Sequence, residues 1–474
     1  MDNVTNPDMI IPDKNSPEYL NYLKERGEKI KEKKWGELSL ALSEKYGEEY
    51  AAPIVKELRE LQGMFTERNA IWMANLYDPK IGGWYWSNSA RDNDGFLPDI
   101  EDTYTVMCFL ESSGMSEMYG GKWENALPDW LKKKVGDYIY NLQDEDGFFY
   151  NIQWPKPFIF EDPLRRQPRI TRDLGSAKYI LRKLGITPKY STEPKREEKK
   201  EQTPHMLTQF DSPEAFREYM RKIEEEIAPM DADQRAARFY YYGNMFQSIT
   251  AHLNADEQIK KIFIDFLEKY QNEKTGMWSD VLVYNATNGL HKIADIANKI
   301  GYKLRYVDEM VDTVMALISK TVEEYPVAGG VYIYNAWSCF PYIYENILRF
   351  GDGSEEERLA KKEAIKKRIL KNAPVLIKTA REQLRGFGRE DGSFAYGRKG
   401  GGGTAQGCPI CLPGIMEGDM NGNVIAVNAV RRHILRALEL GEYEVPVFTE
   451  YERYLFMSIV EKLNSTAENG RGDV

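Results

Sequence analysis

Cysteine and histidine are scarce in this chain, with four of each in 474 residues. Cys108, Cys339, Cys408 and Cys411 are too few to staple a fold of this size with disulfides. Cys408-Pro409-Ile410-Cys411 has C-x-x-C spacing but no second pair, so neither a metal nor any other cofactor is expected. The sequence also lacks a run of about 18 apolar residues, so no membrane span is expected. Met1 to Ser16 has no charged-then-apolar leader, and the expected location is cytoplasmic. Basic excess is missing too. The net charge of -10 argues against nucleic acid as a partner, because phosphate binding needs a positive surface. The Gly400–Gly403 run lacks the Gly-Lys-Ser/Thr of a phosphate loop and reads as a lid segment.

What the chain has in quantity is aromatic side chains, 30 Tyr and 9 Trp. They suit a core, and equally a cleft that stacks on sugar rings or holds a polyene. Residues 1–49 read as an N-terminal helical extension, disordered to about residue 15. One helix starts at Ser16-Pro17-Glu18 and runs to about Lys34, and a second covers Leu38 to Tyr46. Residues 50–77 give one long helical pattern with Ile54, Leu58, Leu61, Phe65 and Trp72 largely on one face. The run STEPKREEKKEQTP at 191–204 reads as a charged linker, and 190–235 as an insertion or divergent repeat. Residues 464–474 read as a flexible tail.

A turn repeats along the rest. Asp78-Pro79-Lys80-Ile81-Gly82-Gly83-Trp84-Tyr85 is an acidic turn, then glycine, then aromatics. The shape recurs at Gln143-Asp144-Glu145-Asp146-Gly147-Phe148, at Asn272-Glu273-Lys274-Thr275-Gly276-Met277-Trp278 and at Glu390-Asp391-Gly392-Ser393-Phe394, with a looser copy at Gly329-Gly330. From Gly82 through Gly147, Gly276, Gly329 and Gly392 the gaps are 65, 129, 53 and 63, where 129 is close to two units. Helical patterns lie between the copies. A period near 60 residues predicts helix pairs that stack to bury their apolar faces. The expected fold is therefore all-α: an α/α toroid of about six hairpins over residues 50–463, with the Gly-aromatic turns on one face.

These turns resemble the Gln-x-x-Asp-Gly-Ser-Trp repeats of terpenoid cyclases and protein prenyltransferases, which share the α/α toroid with six-hairpin glycosidases and polysaccharide lyases. Asp99-Ile100-Glu101-Asp102-Thr103 resembles the Asp-x-Asp-Asp-Thr motif of class II terpene cyclases, with Glu101 where that family has the proton-donating Asp. No second aspartate-rich motif of the metal-diphosphate type accompanies it.

Two acid clusters stand at expected helix starts. One is Asp92 to Asp102; the other is Glu417-Gly418-Asp419. In a closed ring the first and last hairpins are neighbours, so these clusters can face each other across one cavity. That is what two-carboxylate glycoside hydrolysis needs, one acid protonated and one ionised. The candidate catalytic residues are Asp99, Glu101, Asp102, Glu417 and Asp419. The candidate substrate contacts are Trp84, Trp86, Asp92, Tyr150, Arg172, Asn288, His291 and Tyr396. Arg169 and Arg172 together suit a bidentate grip on a carboxylate, from a uronic acid or a diphosphate. The leading expectation is a glycosidase or lyase acting on an oligosaccharide. The first alternative is a cyclase-like enzyme that protonates an isoprenoid, and the second is a non-catalytic toroid that binds a glycan or protein.

Overall fold

The structure, a computed structural model, describes residues 12–14, 16–116, 119–154, 163–192 and 207–469. Residues 1–11 and most of the charged 191–204 run, both singled out from sequence, lie outside these. The described chain is mostly helical. Its one strand pair is the two-residue ladder Thr404–Ala405 with Cys408–Pro409.

Four helices flank the repeat region. Helix α1 (Pro17–Tyr46) is continuous where the sequence suggests a break near residue 36. Gly36 sits there with open space around its Cα, so helix propensity alone decides and the helix carries through. The 50–77 pattern is instead two helices, α2 (Glu48–Gln62) and α3 (Glu67–Asn75). The amide of Gly63 closes α2 on the carbonyl of Arg59, and the chain turns before Glu67. The last helix, Glu450–Asn469, includes most of what the sequence marks as tail, because Phe456, Met457 and Val460 are buried against the body.

The remaining helices alternate. They are α4 (Ile100–Ser112), α5 (Asp129–Asn141), α6 (Pro163–Lys183), α7 (Pro213–Ile227), α8 (Ala232–Ser248), α9 (Glu257–Tyr270), α10 (Tyr284–Ile300), α11 (Val307–Ile318), α12 (Gly330–Phe350) and α13 (Glu355–Arg385). A final helix is built in three parts: α14 (Met420–Val424), a π-helical stretch Ile425–Val430, and α15 (Arg431–Ala437). The Glu450–Asn469 helix is α16. Helices α4, α6, α8, α10 and α12 pack in succession, α12 packs on α15, and α14 returns to α4. In the stretch 190–235, read from sequence as an insertion or divergent repeat, the described residues supply α7 and the start of α8.

The repeated turns lead from one member of each pair into the other. Gly82, Gly147, Gly276 and Gly392 all have positive φ, between 68° and 94°. The side chain of Asp78, Asp146, Asn272 or Asp391 accepts from backbone amides within its own turn. Glycine is required twice over, by backbone conformation and by space. A Cβ on Gly82 would sit 2.8 Å from the Lys134 carbonyl oxygen on α5, and one on Gly276 2.6 Å from the Tyr306 carbonyl oxygen ahead of α11. The Gly392 turn is wedged in the same way against Arg68 on α3. The looser copy differs: Gly329 has φ -137° and serves as the N-cap of α12.

Helix α10 shows how the centre is held. It is buried on nearly every side yet carries Asn288, His291, Lys292, Asp295 and Asn298. Each is answered by a neighbouring helix. Asn335 donates to Asn288 at 3.0 Å, Ser338 Oγ meets His291 Nδ1 at 2.5 Å, and Asn346 donates to Asn298 at 2.8 Å. On the α8 side Gln247 bridges Lys292 and Asp295. Buried polar groups that find partners cost little and fix the register of the helices that carry them.

Gly82→Ala should therefore destabilise the protein by about 2 kcal/mol or more in urea titrations, through left-handed strain and the backbone clash. Gly95→Ala, with negative φ and open space, should stay within about 0.5 kcal/mol.

Candidate functional site

The acid-rich junction folds as a helix cap. Asp99 is the N-cap of α4, and its Oδ1 accepts from the amides of Glu101 at 2.7 Å and Asp102 at 3.2 Å. Asn151 Oδ1 takes the amide of Ile100, the next donor exposed by the helix start. Capping pulls Asp99, Glu101 and Asp102 out of water together. Asp99 and Asp102 are 0% exposed.

Helix α6 supplies the counter-charge. Arg169, 1% exposed, donates through Nη1 to Glu101 Oε2 at 2.7 Å and grips Asp173 through Nε and Nη2. Its Nη2 also lies 3.5 Å from Asp99 Oδ1. Arg172 donates to Glu101 Oε1 at 2.6 Å. The two arginines do grip a carboxylate, and it is the protein's own Glu101. Burial alone would raise the Glu101 pKa, but Arg172 and Arg169 outweigh it and hold the group ionised below its ordinary range. Asp173 is pushed up to about 7 by burial, against the pull of Arg169.

Asp102 has neither advantage. Its two carboxyl oxygens are buried and accept no hydrogen bond among the described residues. Burial, then the neighbouring Asp99, Glu101 and Asp419, raise its pKa well above the carboxylate range. A buried carboxyl without a donor or cation is most stable protonated.

The second acid cluster divides. Asp419 is the N-cap of α14, accepting from the Gly422 amide at 2.8 Å and from the Tyr396 amide at 2.6 Å. Burial lifts it to about 6, while the amides of Gly422, Tyr396 and Gly402 pull it down. It is near enough to Asp102 to raise that group's pKa, and α14 packs on α4. Glu417 is a clamp. It accepts from Ser87 Oγ at 3.0 Å, from the Ser89 amide at 2.9 Å and from Ser89 Oγ, which pins its loop to the short helix Asn88–Arg91. Gly401 lies over Asp419, where a Cβ would be 3.5 Å from Oδ2, so the glycine-rich segment covers that acid.

The other candidates separate by location. Trp84 and Trp86, 0% and 2% exposed, belong to the core, Trp84 between Tyr77 and Phe456. Asp92 is on the surface, paired with Arg91, which lowers its pKa. Tyr150 is buried and bonds Asp146 of its own turn. Asn288 and His291 are taken up between α10 and α12 as described. Tyr396 is different: it is half-buried although protein surrounds it.

Arg172 has the same character, with 43% of its side chain exposed inside a surround of protein. So do Tyr240 and Tyr334, whose pKa values are raised by burial and which feel the charge of Arg172. Tyr334 stacks on His433 at 5.5 Å and meets His291 edge-on at 6.1 Å. Arg172, Tyr240, Tyr334, Tyr396 and His433 form one interacting group drawn from α6, α8, α12, α15 and the segment before α14. A cavity of about 970 Å³ along α4 and α6 has Glu101 and Arg172 on its wall. Tyr240, Tyr334, His433 and Lys292 carry no sequence signal of this role, because each sits within a helical pattern that reads as core. Cys408 and Cys411 are free thiols, pushed up by burial to about 12 and about 11.

The chain matches no protein-family model, no curated protein and no solved structure.

Two outcomes follow from the electrostatics. Arg169→Met should cost about 3–5 kcal/mol in denaturant unfolding, since it leaves buried carboxylates uncompensated; removing Asp173 as well, as Asp173→Leu, should recover part of that loss. Lys292 is depressed to about 7, mainly by burial and then by Arg172. Its unfolded value is near 10.4, so between these limits the unfolded chain holds the extra proton. Wild-type stability should therefore rise from pH 7 toward pH 10 more steeply than that of Lys292→Met, by up to about 1 kcal/mol per pH unit.

Proposed function

We propose that the six helix pairs close as an α/α toroid, and that the chain cleaves a glycosidic bond of an oligosaccharide in its interior. The circular succession of contacts through α4, α6, α8, α10, α12 and α14–α15 supports the ring, as does the wedging of the last Gly turn against α3. The observation that carries the chemistry is the divided acid pair. Asp102 is held protonated and Asp419 ionises near 6, at two helix starts that pack together. Two carboxyl groups whose environments push their pKa values apart are suited to acid and base roles. In this reading Asp102 protonates the leaving oxygen and Asp419 acts as base or nucleophile. Both become reachable when the Gly400–Gly403 segment moves aside, and Tyr240, Tyr334 and Tyr396 offer rings and hydroxyls to sugars.

One observation favours a second reading. A protonated carboxyl without hydrogen-bond partners also suits alkene protonation, with Asp102 in the role that the motif resemblance gave to Glu101. The charged and hydroxylated interior suits a glycan better than an isoprenoid.

A screen of aryl-glycosides, oligosaccharides and prenyl diphosphates tests both. Glycan turnover should fall at least 100-fold in Asp102→Asn and in Asp419→Asn, as loss of a general acid or base requires. Its rate should climb as pH rises through about 6, where Asp419 ionises. Turnover of a prenyl diphosphate lost in Asp102→Asn would replace the first reading by the second. Binding without turnover of any substrate would leave a non-catalytic toroid.

A further inference from the structure

The groove between α4 and α6 has a charge opposite to that of the chain. Helix α6 carries seven basic residues and one acid, Asp173, in a protein of net charge -10. The cavity of about 970 Å³ along these two helices has Arg172, Lys178 and Arg182 on its wall, against the one carboxylate of Glu101. Glu101 is already shared between Arg169 and Arg172. Arg172 gives it only Nη1; Nε and Nη2 have no acceptor among the described residues, and 43% of the side chain is exposed. Arg182 meets the ring of Tyr179 at 5.8 Å and pairs with no carboxylate among the described residues. Cavities of this size hold small organic ligands, and an excess of cations on the wall selects a negative one.

The floor of the groove has a second feature. Thr171, Gly175, Lys178 and Arg182 follow the spacing of one helical face, and all four line the cavity. Gly175 stands in mid-helix, its backbone outside the left-handed region, and a Cβ there would meet nothing within 4 Å. Neither conformation nor internal packing requires a glycine, which costs helix stability relative to alanine. What the missing side chain supplies is bare backbone against which a flat group can lie. The same cavity has apolar wall from Tyr104 on α4 and from Ile186 and Pro188 after α6. Tyr104 packs edge-on to Tyr179 at 5.1 Å, and the Tyr179 hydroxyl is held by Trp123 and Glu111, so that wall is fixed. Arg172 comes three residues before Gly175, about 4.5 Å along the helix axis. A guanidinium edge suited to phosphate and a flat floor are therefore neighbours.

We propose that this groove binds a nucleotide, with a phosphate on the Nε/Nη2 edge of Arg172 and the base lying on α6 at Gly175, beside Tyr104. Asp102 and Asp419 are not on its wall, so the site is independent of what the acid pair does.

Calorimetric titration of the full chain tests this. The probes are ADP, GDP and UDP, their nucleosides, pyrophosphate, farnesyl diphosphate as a phosphate ester without a ring, and phosphatidylcholine vesicles carrying phosphatidylinositol 4-phosphate. At least one nucleotide should bind tenfold or more tighter than its nucleoside and than pyrophosphate, because both halves are held. Gly175→Leu fills the floor and should weaken that nucleotide tenfold or more, while the melting temperature stays level or rises, since leucine is the better helix former. Arg172→Lys keeps a charge beside Glu101 but loses the fork, and should also weaken the nucleotide tenfold or more. Circular dichroism confirms that both variants fold. No binding of any nucleotide, or effects below twofold in both folded variants, overturns the proposal. Pyrophosphate, farnesyl diphosphate or the vesicles binding as tightly as every nucleotide overturns the assignment of the floor to a base.

Discussion

Burying carboxyl groups faster than cations to match them is the constraint around which this molecule is arranged. Asp99, Glu101, Asp102, Asp173 and Asp419 are all withdrawn from water, and among the described residues the cations that pair with them are Arg169 and Arg172. Five negative charges against two positive ones cannot persist in a medium of low polarity. The structure resolves the excess in three ways. Glu101 and Asp173 take guanidinium groups. Asp99 and Asp419 take the amides of helix starts, whose dipoles favour negative charge. Asp102, left with neither, keeps its proton. The three fates give three different acids within a few residues of one another, and the difference arises from packing alone.

That allocation depends on which helices meet. Helix α6 brings both arginines to α4, and α14 brings a second cap against the first. The turns that set these helices in place use glycine for a steric reason and an acidic or amide side chain for a hydrogen-bonding one. Conformation and chemistry are thus encoded by different residues of the same short motif. The turn acids Asp78, Asp146 and Asp391 are spent on their own backbone, so acid density in the sequence overstates the carboxylates available for chemistry.

The all-helical class is legible because the turn motif has one mechanism and repeats it. Helix boundaries are less so: Gly36 and Gly63 look alike in sequence, yet only the second ends a helix, because only there does the fold require a turn. Of the site, the acids at 99–102 and 419 and the arginine pair are visible, since charge at a helix start is conspicuous. Their division of labour is not, because it depends on Arg169 and Arg172 arriving from about 70 positions away. Trp84 and Trp86 mislead for the opposite reason. A large ring next to acids suits a cleft wall or a core equally, and only the position of α16 decides. Tyr240, Tyr334, His433 and Lys292 are hidden by helical periodicity, which marks the face turned inward without revealing which of its polar groups meet.

The clamp by Glu417 on Ser87 and Ser89 joins residues about 330 positions apart, and the Met420 amide bonds the Trp86 carbonyl beside it. On a ribosome, the first hairpin waits through the synthesis of nearly the whole chain before its last neighbour exists. Until then the flank of α4 that α14 covers is open. The last neighbour of that flank is α14, which packs on α4 beside Asp102. A chain stopped short of residue 420 would keep the carboxyl of Asp102 and lack the helix that packs on α4 beside it.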